Sequence, residues 1–303
     1  MLKITSIFFV FLMTISIYGQ SNDNNYRIFD ANGNPTNIDK IIEEIGKSDV
    51  VFLGEQHDDA VAHNLQMKIL EAVYEKYGKQ RKPVLSLEMF ERDVQIILDE
   101  YLKNQISEAH FLSSSRPWGN YKTDYRPLIE FAKEKSIEVV AANAPRRYVN
   151  MVSRLGRDSL NGLSPEAKKW FAPLPFGEAS AAYTNKFNAL MGSQTDSISP
   201  HNPMLASQSL WDATMAYSIA ENLKQNKKGK NDKNALIVHI NGSFHTENRL
   251  GTVEHLLKYS PKTKILVVTM RYEDEFADFD KAKHSGLGDF IILTDAKVPR
   301  SQK

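Results

Sequence analysis

Short apolar runs, many of them β-branched, alternate along the chain with segments in which apolar residues recur every three or four positions. Runs bounded by turn residues predict buried strands, and the wider spacing predicts amphipathic helices. The predicted strands span residues 26–30, 50–53, 84–87, 137–142, 235–240, 264–270 and 289–293. Strands that alternate with helices favour right-handed crossovers. The pattern therefore predicts an α/β fold with a mostly parallel sheet and flanking helices.

The pattern changes between residues 148 and 234, where helical spacing and prolines continue but no run reads as a strand. We interpret this stretch as an α-helical insertion or lid that packs over one edge of the sheet. A stretch rich in serine and aromatic residues, 113–125, is predicted as a loop. The predicted organisation divides the chain into four parts: a signal peptide at 1–19, a linker at 20–25, an α/β core made of residues 26–147 and 235–303, and the insertion at 148–234.

The N-terminal segment resembles a secretory signal. Lys3 precedes a nearly continuous apolar run, Ile4 to Ile17, and small or turn-forming residues follow up to Gly19. That run is short for a membrane span and lacks a positive stop, so we expect cleavage near Gly19 or Gln20 and export to the periplasm or beyond. An uncleaved N-terminal anchor is the alternative. After cleavage we expect no integral membrane span.

Composition narrows the classes of function. The chain has no cysteine, which excludes disulfides, thiolate chemistry and a lipid-anchored N-terminal cysteine. A formal net charge of +1 gives no reason to expect a nucleic-acid partner.

Polar residues follow the predicted strands. In an open parallel sheet, ligands bind outside the carboxyl ends of the strands, so these side chains are expected to meet at one rim. The residues are Glu55, His57, Glu88, Asn143, Arg146, His245 and Arg271. Taken singly, each has an ordinary alternative role: a histidine after a strand can be structural, and Glu88 can cap the following helix.

Two kinds of chemistry fit these residue types. Glu55, His57, Glu88 and His245 could hold a divalent metal and leave a position for water. Without metal, His57 or His245 could act as general base beside the carboxylates, which would raise the histidine pKa values, and Arg146 would bind an anionic or carbonyl group. The candidate catalytic residues are Glu55, His57, Glu88, Arg146 and His245. The chain lacks the Gly-x-Ser-x-Gly signature of a serine nucleophile.

Four motifs resemble those of a known family. They are Leu53-Gly54-Glu55-Gln56-His57-Asp58, Ser86-Leu87-Glu88-Met89-Phe90, Asn143-Ala144-Pro145-Arg146 and Asn241-Gly242-Ser243-Phe244-His245. In this order they resemble the ChaN-like haem-binding uptake proteins, within the wider Tiki, TraB and erythromycin esterase superfamily. The resemblance implies an α/β fold with a helical insertion, export, and a dimer that holds two haems face to face at the helical region. Other branches are hydrolases that use the matching Glu and His residues, some with a divalent metal. Several relatives are lipoproteins, which this cysteine-free chain cannot be.

A haem site in the helical segment would need an axial ligand and apolar walls. Haem iron accepts tyrosine, histidine or methionine. Candidates are Tyr183, Met191, His201 and Met204, beside Phe176, Phe187 and Trp211. Tyr183 and His201 are preferred because methionine fills cores readily, although the whole stripe could equally be helix core. The leading hypothesis is an exported haem-binding protein that dimerises on haem and takes part in haem or iron uptake. The alternative is a metal-dependent or Glu/His-dependent hydrolase at the rim, on a different part of the fold.

Overall fold

All predicted strands are present, and the sheet contains one more. The structure, a computed structural model, describes residues 25–191, 202–226 and 234–301, so the predicted signal peptide and His201 lie outside the described residues. The strands are β1 (Tyr26–Asp30), β2 (Pro35–Thr36), β3 (Val50–Glu55), β4 (Lys82–Glu91), β5 (Glu138–Asn143), β6 (Ala235–Gly242), β7 (Ile265–Glu273) and β8 (Phe290–Asp295). The two-residue strand β2 is too short to leave a periodic signal in the sequence.

The helices confirm the alternating pattern. They are α1 (Ile38–Gly46), α2 (Ala60–Tyr77), α3 (Gln95–Leu102), α4 (Glu108–Ser115), α5 (Arg126–Lys135), α6 (Arg146–Leu155), α7 (Ala181–Leu190), α8 (Pro203–Gln225), α9 (Thr252–Tyr259) and α10 (Lys281–His284). The predicted loop at 113–125 is partly helical, because α4 extends to Ser115 and a π-helical turn spans Tyr121–Tyr125. Among the described residues, no helix is long and apolar enough to cross a membrane.

The eight strands form one sheet in the order β2-β1-β8-β7-β3-β6-β4-β5. Pairings from β8 to β5 are parallel, whereas β1 runs antiparallel to β8 and to β2. Strand β3 lies in the middle, and its last residue, Glu55, pairs with Gly242 at the end of β6. The carboxyl ends of β3, β4 and β6 therefore lie at the same edge of the sheet.

Helices cover both faces of the sheet, which explains why the central strands are apolar throughout. Successive residues of a strand point to opposite faces. Val51 and Leu53 pack in a cluster with α1, α2 and α5. Val50 and Phe52 pack on the other side, in a cluster with α8 and α9. Every residue of β3 is consequently buried, and the strand delivers its terminal carboxylate into a site enclosed on both sides.

Helix α8 covers one face of the sheet next to its β5 edge. The helical insertion was expected over one edge of the sheet, and Ser218 Oγ of α8 donates to the Ala142 carbonyl of the edge strand β5. Ala216, Ile219 and Leu223 of α8 pack against the apolar face of the central strands. The described residues between β5 and β6 contain helices and turns but no strand, as the pattern indicated. Helix α8 is therefore one of the layers of the core, and its polar residues can reach the rim of the sheet.

Candidate functional site

Glu55 ends β3 as a fully buried carboxylate held by four neighbouring groups. Its Oε1 accepts hydrogen bonds from the Tyr125 hydroxyl at 2.6 Å and from His57 Nδ1 at 2.9 Å. Its Oε2 accepts one from Gln66 Nε2 at 2.6 Å, and His63 Nδ1 lies 3.3 Å away. Burial opposes ionisation, but the hydrogen bonds from His57 and His63 lower the pKa of Glu55 to about 2. Glu55 is thus a permanent negative charge beneath the rim.

A second layer supports Glu55 from below. His63 Nε2 lies 3.4 Å from Asp124 Oδ2, and Asn120 and Ser301 donate to the two oxygens of Asp124 at 2.7 and 2.8 Å. Although burial opposes the charged ring, Glu55 and Asp124 raise the pKa of His63 to about 9. None of these supporting residues was predicted from the sequence. One signal was present, because Gln66 follows Ala62 by four positions and precedes Ile69 by three, and so interrupts the apolar stripe of α2.

His57 is the part of this network that reaches solvent. Its side chain is 28% exposed, its Nδ1 is hydrogen-bonded to Glu55, and its ring meets Trp118 edge-on with centroids 4.8 Å apart. Its Nε2 has no hydrogen-bond partner among the described residues and lies against Gly242, where an added Cβ would stand 2.7 Å away. Burial opposes protonation, but Glu55 and Glu88 raise the pKa of His57. A methyl group at position 242 would force this ring to move.

Glu88 and His245 form the other half of the site. Glu88 Oε2 accepts a hydrogen bond from the Gly242 backbone N–H at 2.7 Å, and Oε1 lies 3.7 Å from His245 Nε2. Strand β4 continues to Glu91, so Glu88 is not the helix cap that the sequence left open. His245 Nδ1 pairs at 2.8 Å with Oδ1 of Asp212, a residue of α8 that the sequence analysis did not select. The available signal was that Asp212 is the only charged residue of α8 before Glu221.

The rim therefore brings together two imidazoles, each supported by a buried carboxylate, with Glu88 between them. Glu88 Oε2 and His57 Nε2 both lie within 3.7 Å of the position that a Cβ on Gly242 would occupy. Burial opposes the charged form of His245, but Asp212 and Glu88 raise its pKa to about 9. At neutral pH, His245 is a cation. Of the two histidines, His57 has the more exposed side chain.

Arg146 lies beside the two imidazoles rather than between them. It opens α6, its side chain is 65% exposed, and its nearest carboxylate contact is 3.7 Å, to Glu91. Its guanidinium stands 5.8 Å from the Trp118 ring, the same ring that packs against His57. Asn143, at the end of β5, accepts a hydrogen bond from the Ala144 backbone N–H and so shapes the turn that leads to Arg146.

The predicted divalent-metal centre receives no support. Among the residues that the structure describes, no group of three or more histidine, aspartate and glutamate side chains is placed to hold a metal ion. The physical reason lies in the contacts of the proposed ligands. Both oxygens of Glu55 already accept hydrogen bonds at 2.6 Å, and one oxygen of Glu88 is held by a backbone amide.

Tyr183, a predicted haem ligand, lies inside the protein. Its ring is 1% exposed, packs against Phe244 with centroids 5.4 Å apart, and adjoins the Asp212 carboxylate across Gly251. A Cβ on Gly251 would stand 2.8 Å from Tyr183 Cε2 and 2.9 Å from Asp212 Oδ1. Burial and the charge of Asp212 raise the pKa of Tyr183 well above its ordinary value. The helical segment and the rim are therefore contiguous, not separate regions as the sequence suggested.

The structure resembles several solved proteins. A structure described as cofacial haem binding to ChaN of Campylobacter jejuni matches with a TM-score of 0.63 at 17% identity, covering 90% of this chain and 98% of that chain. A protein from Bacillus cereus matches with a TM-score of 0.48 at 12% identity, covering 87% and 92%. An erythromycin esterase matches with a TM-score of 0.47 at 10% identity, covering 82% and 77%. The first likeness supports the α/β fold, and the other two are too weak to add to it.

Comparison of the sequence with family profiles identifies the family of this chain. No curated protein matches the chain. The profile of the family described as haem-binding uptake, Tiki superfamily, ChaN matches residues 41–256, which is more than half of the chain and contains all four motifs at the strand ends. The chain therefore belongs to the ChaN family of haem-binding uptake proteins, within the Tiki superfamily.

Proposed function

We propose that this protein is an exported haem-binding protein that carries haem or takes part in its uptake. The observation that carries the proposal is the family match over residues 41–256. The Campylobacter jejuni protein of similar fold is described as binding haem cofacially. The export part rests on the N-terminal pattern, in which Lys3 precedes the apolar run from Ile4 to Ile17.

An apolar surface at one end of the helical segment suits a haem. Phe187 of α7 and Leu205 of α8 pack in one buried cluster. Leu190 and Met191 follow Phe187 by three and four positions and are 67% and 48% exposed, and Met204 precedes Leu205 and is 49% exposed. Exposed apolar side chains that form a patch are typical of a ligand or protein interface. A flat porphyrin covered by a second copy of this chain would bury them, and we propose this dimer as the haem-bound state.

The burial of Tyr183 argues against it as axial ligand, which leaves His201 as the preferred candidate. Tyrosine would bind ferric haem as phenolate, yet Tyr183 is buried and its raised pKa opposes that form. His201 lies outside the described residues, three positions before Met204 in the sequence. It remains the predicted ligand.

The test is a titration of the purified protein with haemin, followed by absorption and by size-exclusion chromatography. We expect a shifted Soret band and a rise in dimer as haemin is added. His201→Ala should weaken both, whereas Tyr183→Phe and His110→Ala, which changes an exposed histidine of α4, should not. A wild-type spectrum that stays that of free haemin would refute haem binding. Loss of the shift in Tyr183→Phe alone would reverse the assignment of the ligand.

Mass spectrometry of the exported protein tests the cellular part of the proposal. We expect a mature N-terminus near Gly19 or Gln20. Retention of residues 1–19 in the membrane fraction would favour an uncleaved anchor.

A second candidate function is hydrolysis at the rim, favoured by the two carboxylate-supported imidazoles on either side of Glu88. In this candidate, His57 Nε2 takes a proton from an attacking water while Glu55 holds the ring by Nδ1. The protonated His57 then returns the proton to the leaving group as the bond between that group and the acyl carbon breaks. The cationic His245 stabilises negative charge on the substrate oxygen, and Arg146 binds an anionic group near Trp118. This is the Glu/His-dependent version of the hydrolase hypothesis.

Hydrolysis of p-nitrophenyl acetate by the purified protein tests this candidate. We expect turnover that His57→Gln abolishes and that His110→Gln leaves unchanged. Equal rates in His57→Gln and wild type would remove His57 from the reaction. Repeating the assay with and without EDTA reports on any metal requirement.

A further inference from the structure

Asp212 brings a charge from the helical segment into the rim. It lies in α8, is 1% exposed, and its Oδ1 accepts hydrogen bonds from His245 Nδ1 and from the Thr252 hydroxyl, both at 2.8 Å. Burying a carboxylate is costly unless it is paired and hydrogen-bonded. Both hydrogen bonds go to the same oxygen. His245 lies in the turn after β6, and Thr252 is the first residue of α9. Asp212 therefore links three elements at the point where His245 is held.

The contact settles how His245 faces the site. With Nδ1 directed to Asp212, the opposite nitrogen, Nε2, points toward Glu88 Oε1 at 3.7 Å. Glu88 is itself held by the Gly242 backbone N–H, the residue against which His57 packs. The orientation of His245 thus determines which of its nitrogens faces the space that Glu88 shares with His57.

We propose that Asp212 is a positioning residue of the rim site, holding the His245 ring by Nδ1 so that Nε2 is presented to Glu88. The proposal rests on the rim as a site of acid–base chemistry, the second candidate function above. It extends that candidate, because it makes α8 part of the site. None of the four motifs of the sequence analysis contains Asp212, which follows the last residue of one motif by more than sixty positions and precedes the next by more than twenty.

The charges around His245 agree with this role. Asp212 from α8 and Glu88 from β4 face the ring and favour its charged form. Burial and Lys186 from α7 oppose that form. His57 and His239 also lie near the ring, and the charge of His245 opposes their protonation. Without the charge of Asp212, Glu88 is the only carboxylate that favours the protonated His245 ring, while burial and Lys186 still oppose it.

The experiment is a pH titration of the purified protein labelled with 15N-histidine, followed by NMR correlations that distinguish Nδ1 from Nε2. We expect His245 to stay protonated past neutral pH and then to keep its proton on Nδ1 when it becomes neutral. Free histidine prefers the Nε2–H tautomer, so an Nε2–H ring in the wild type would overturn the proposal without any variant.

Two variants separate positioning from a structural role. Asp212→Asn should lower the pKa of His245 by about one to three units, the range for losing an adjacent opposite charge. Thr252→Val removes the other hydrogen bond to the same oxygen but keeps the charge, and it should leave the His245 pKa near the wild-type value. An unchanged His245 pKa in folded Asp212→Asn would refute the proposal. Asp212→Glu restores the charge and should restore the raised pKa.

The same variants distinguish failure of this proposal from failure of the hydrolase. If p-nitrophenyl acetate is not hydrolysed by any variant but His245 titrates as expected, Asp212 positions the ring and the hydrolase candidate is wrong. If hydrolysis occurs, the alkaline limb of its pH profile should move to lower pH in Asp212→Asn and stay in place in Thr252→Val.

Discussion

Replacing Glu55 with glutamine tests whether the buried carboxylate under the rim organises the site. The change keeps the shape of the side chain but removes the charge that faces His57 and His63. Raising the pKa of His63 from 6.5 to about 9 corresponds to about 3 kcal/mol, at about 1.4 kcal/mol per pH unit. Burial opposes that shift, Glu55 is its main source, and Asp124 and Gln66 add to it. We therefore expect Glu55→Gln to lower the free energy of unfolding by about 2 to 3 kcal/mol at pH 7.

The free energy of unfolding should depend on pH differently in the wild type and in Glu55→Gln. A histidine whose pKa is raised on folding contributes stability that is complete below its unfolded pKa, near 6.5, and that disappears as pH rises through about 9. The wild type should lose the His63 contribution across this window, whereas Glu55→Gln has little of it to lose. The difference in stability between the two proteins should shrink from pH 7 to pH 10. His245 loses its own contribution equally in both.

Urea unfolding at several pH values, followed by circular dichroism, measures this difference. Glu43→Gln is the matched control, because Glu43 is an exposed carboxylate of α1 paired with Lys40 and Lys47. Exposed ion pairs contribute little, so this control should stay near the wild type at every pH. A Glu55→Gln deficit that is as large at pH 10 as at pH 7 would mean that packing or hydrogen bonding, not charge, accounts for the role of Glu55.

Two further substitutions test the other half of the rim. Glu88→Gln should lower the pKa of His245 in an NMR titration, because it removes one of the two carboxylates that raise that pKa; an unmoved pKa would limit Glu88 to its bond with the Gly242 backbone. Gly242→Ala should displace the His57 ring, since the new methyl would lie 2.7 Å from Nε2. The NMR signals of His57 should shift, while Gly162→Ala, where an added Cβ meets nothing within 4 Å, serves as control and should leave them in place.

The sequence by itself determined the α/β class, the strands and the motifs at their ends. Each of these depends on residues close together in the chain. Apolar runs such as 50–53 mark buried strands, and a polar residue after such a run lies at the rim because parallel strands end at the same edge. For this reason Glu55, His57, Glu88 and His245 could be named before the structure, and all four lie at that edge.

The partners of these residues were decided by tertiary structure alone. Glu55 is held by Tyr125 from 70 positions away, and His245 by Asp212 from 33 positions away, on a helix of the predicted insertion. The antiparallel direction of β1 was likewise not predictable. Periodicity reports which face of an element is apolar, but it does not report which other element covers that face. Only the folded chain brings Asp212 to His245 and places Tyr183 inside the core.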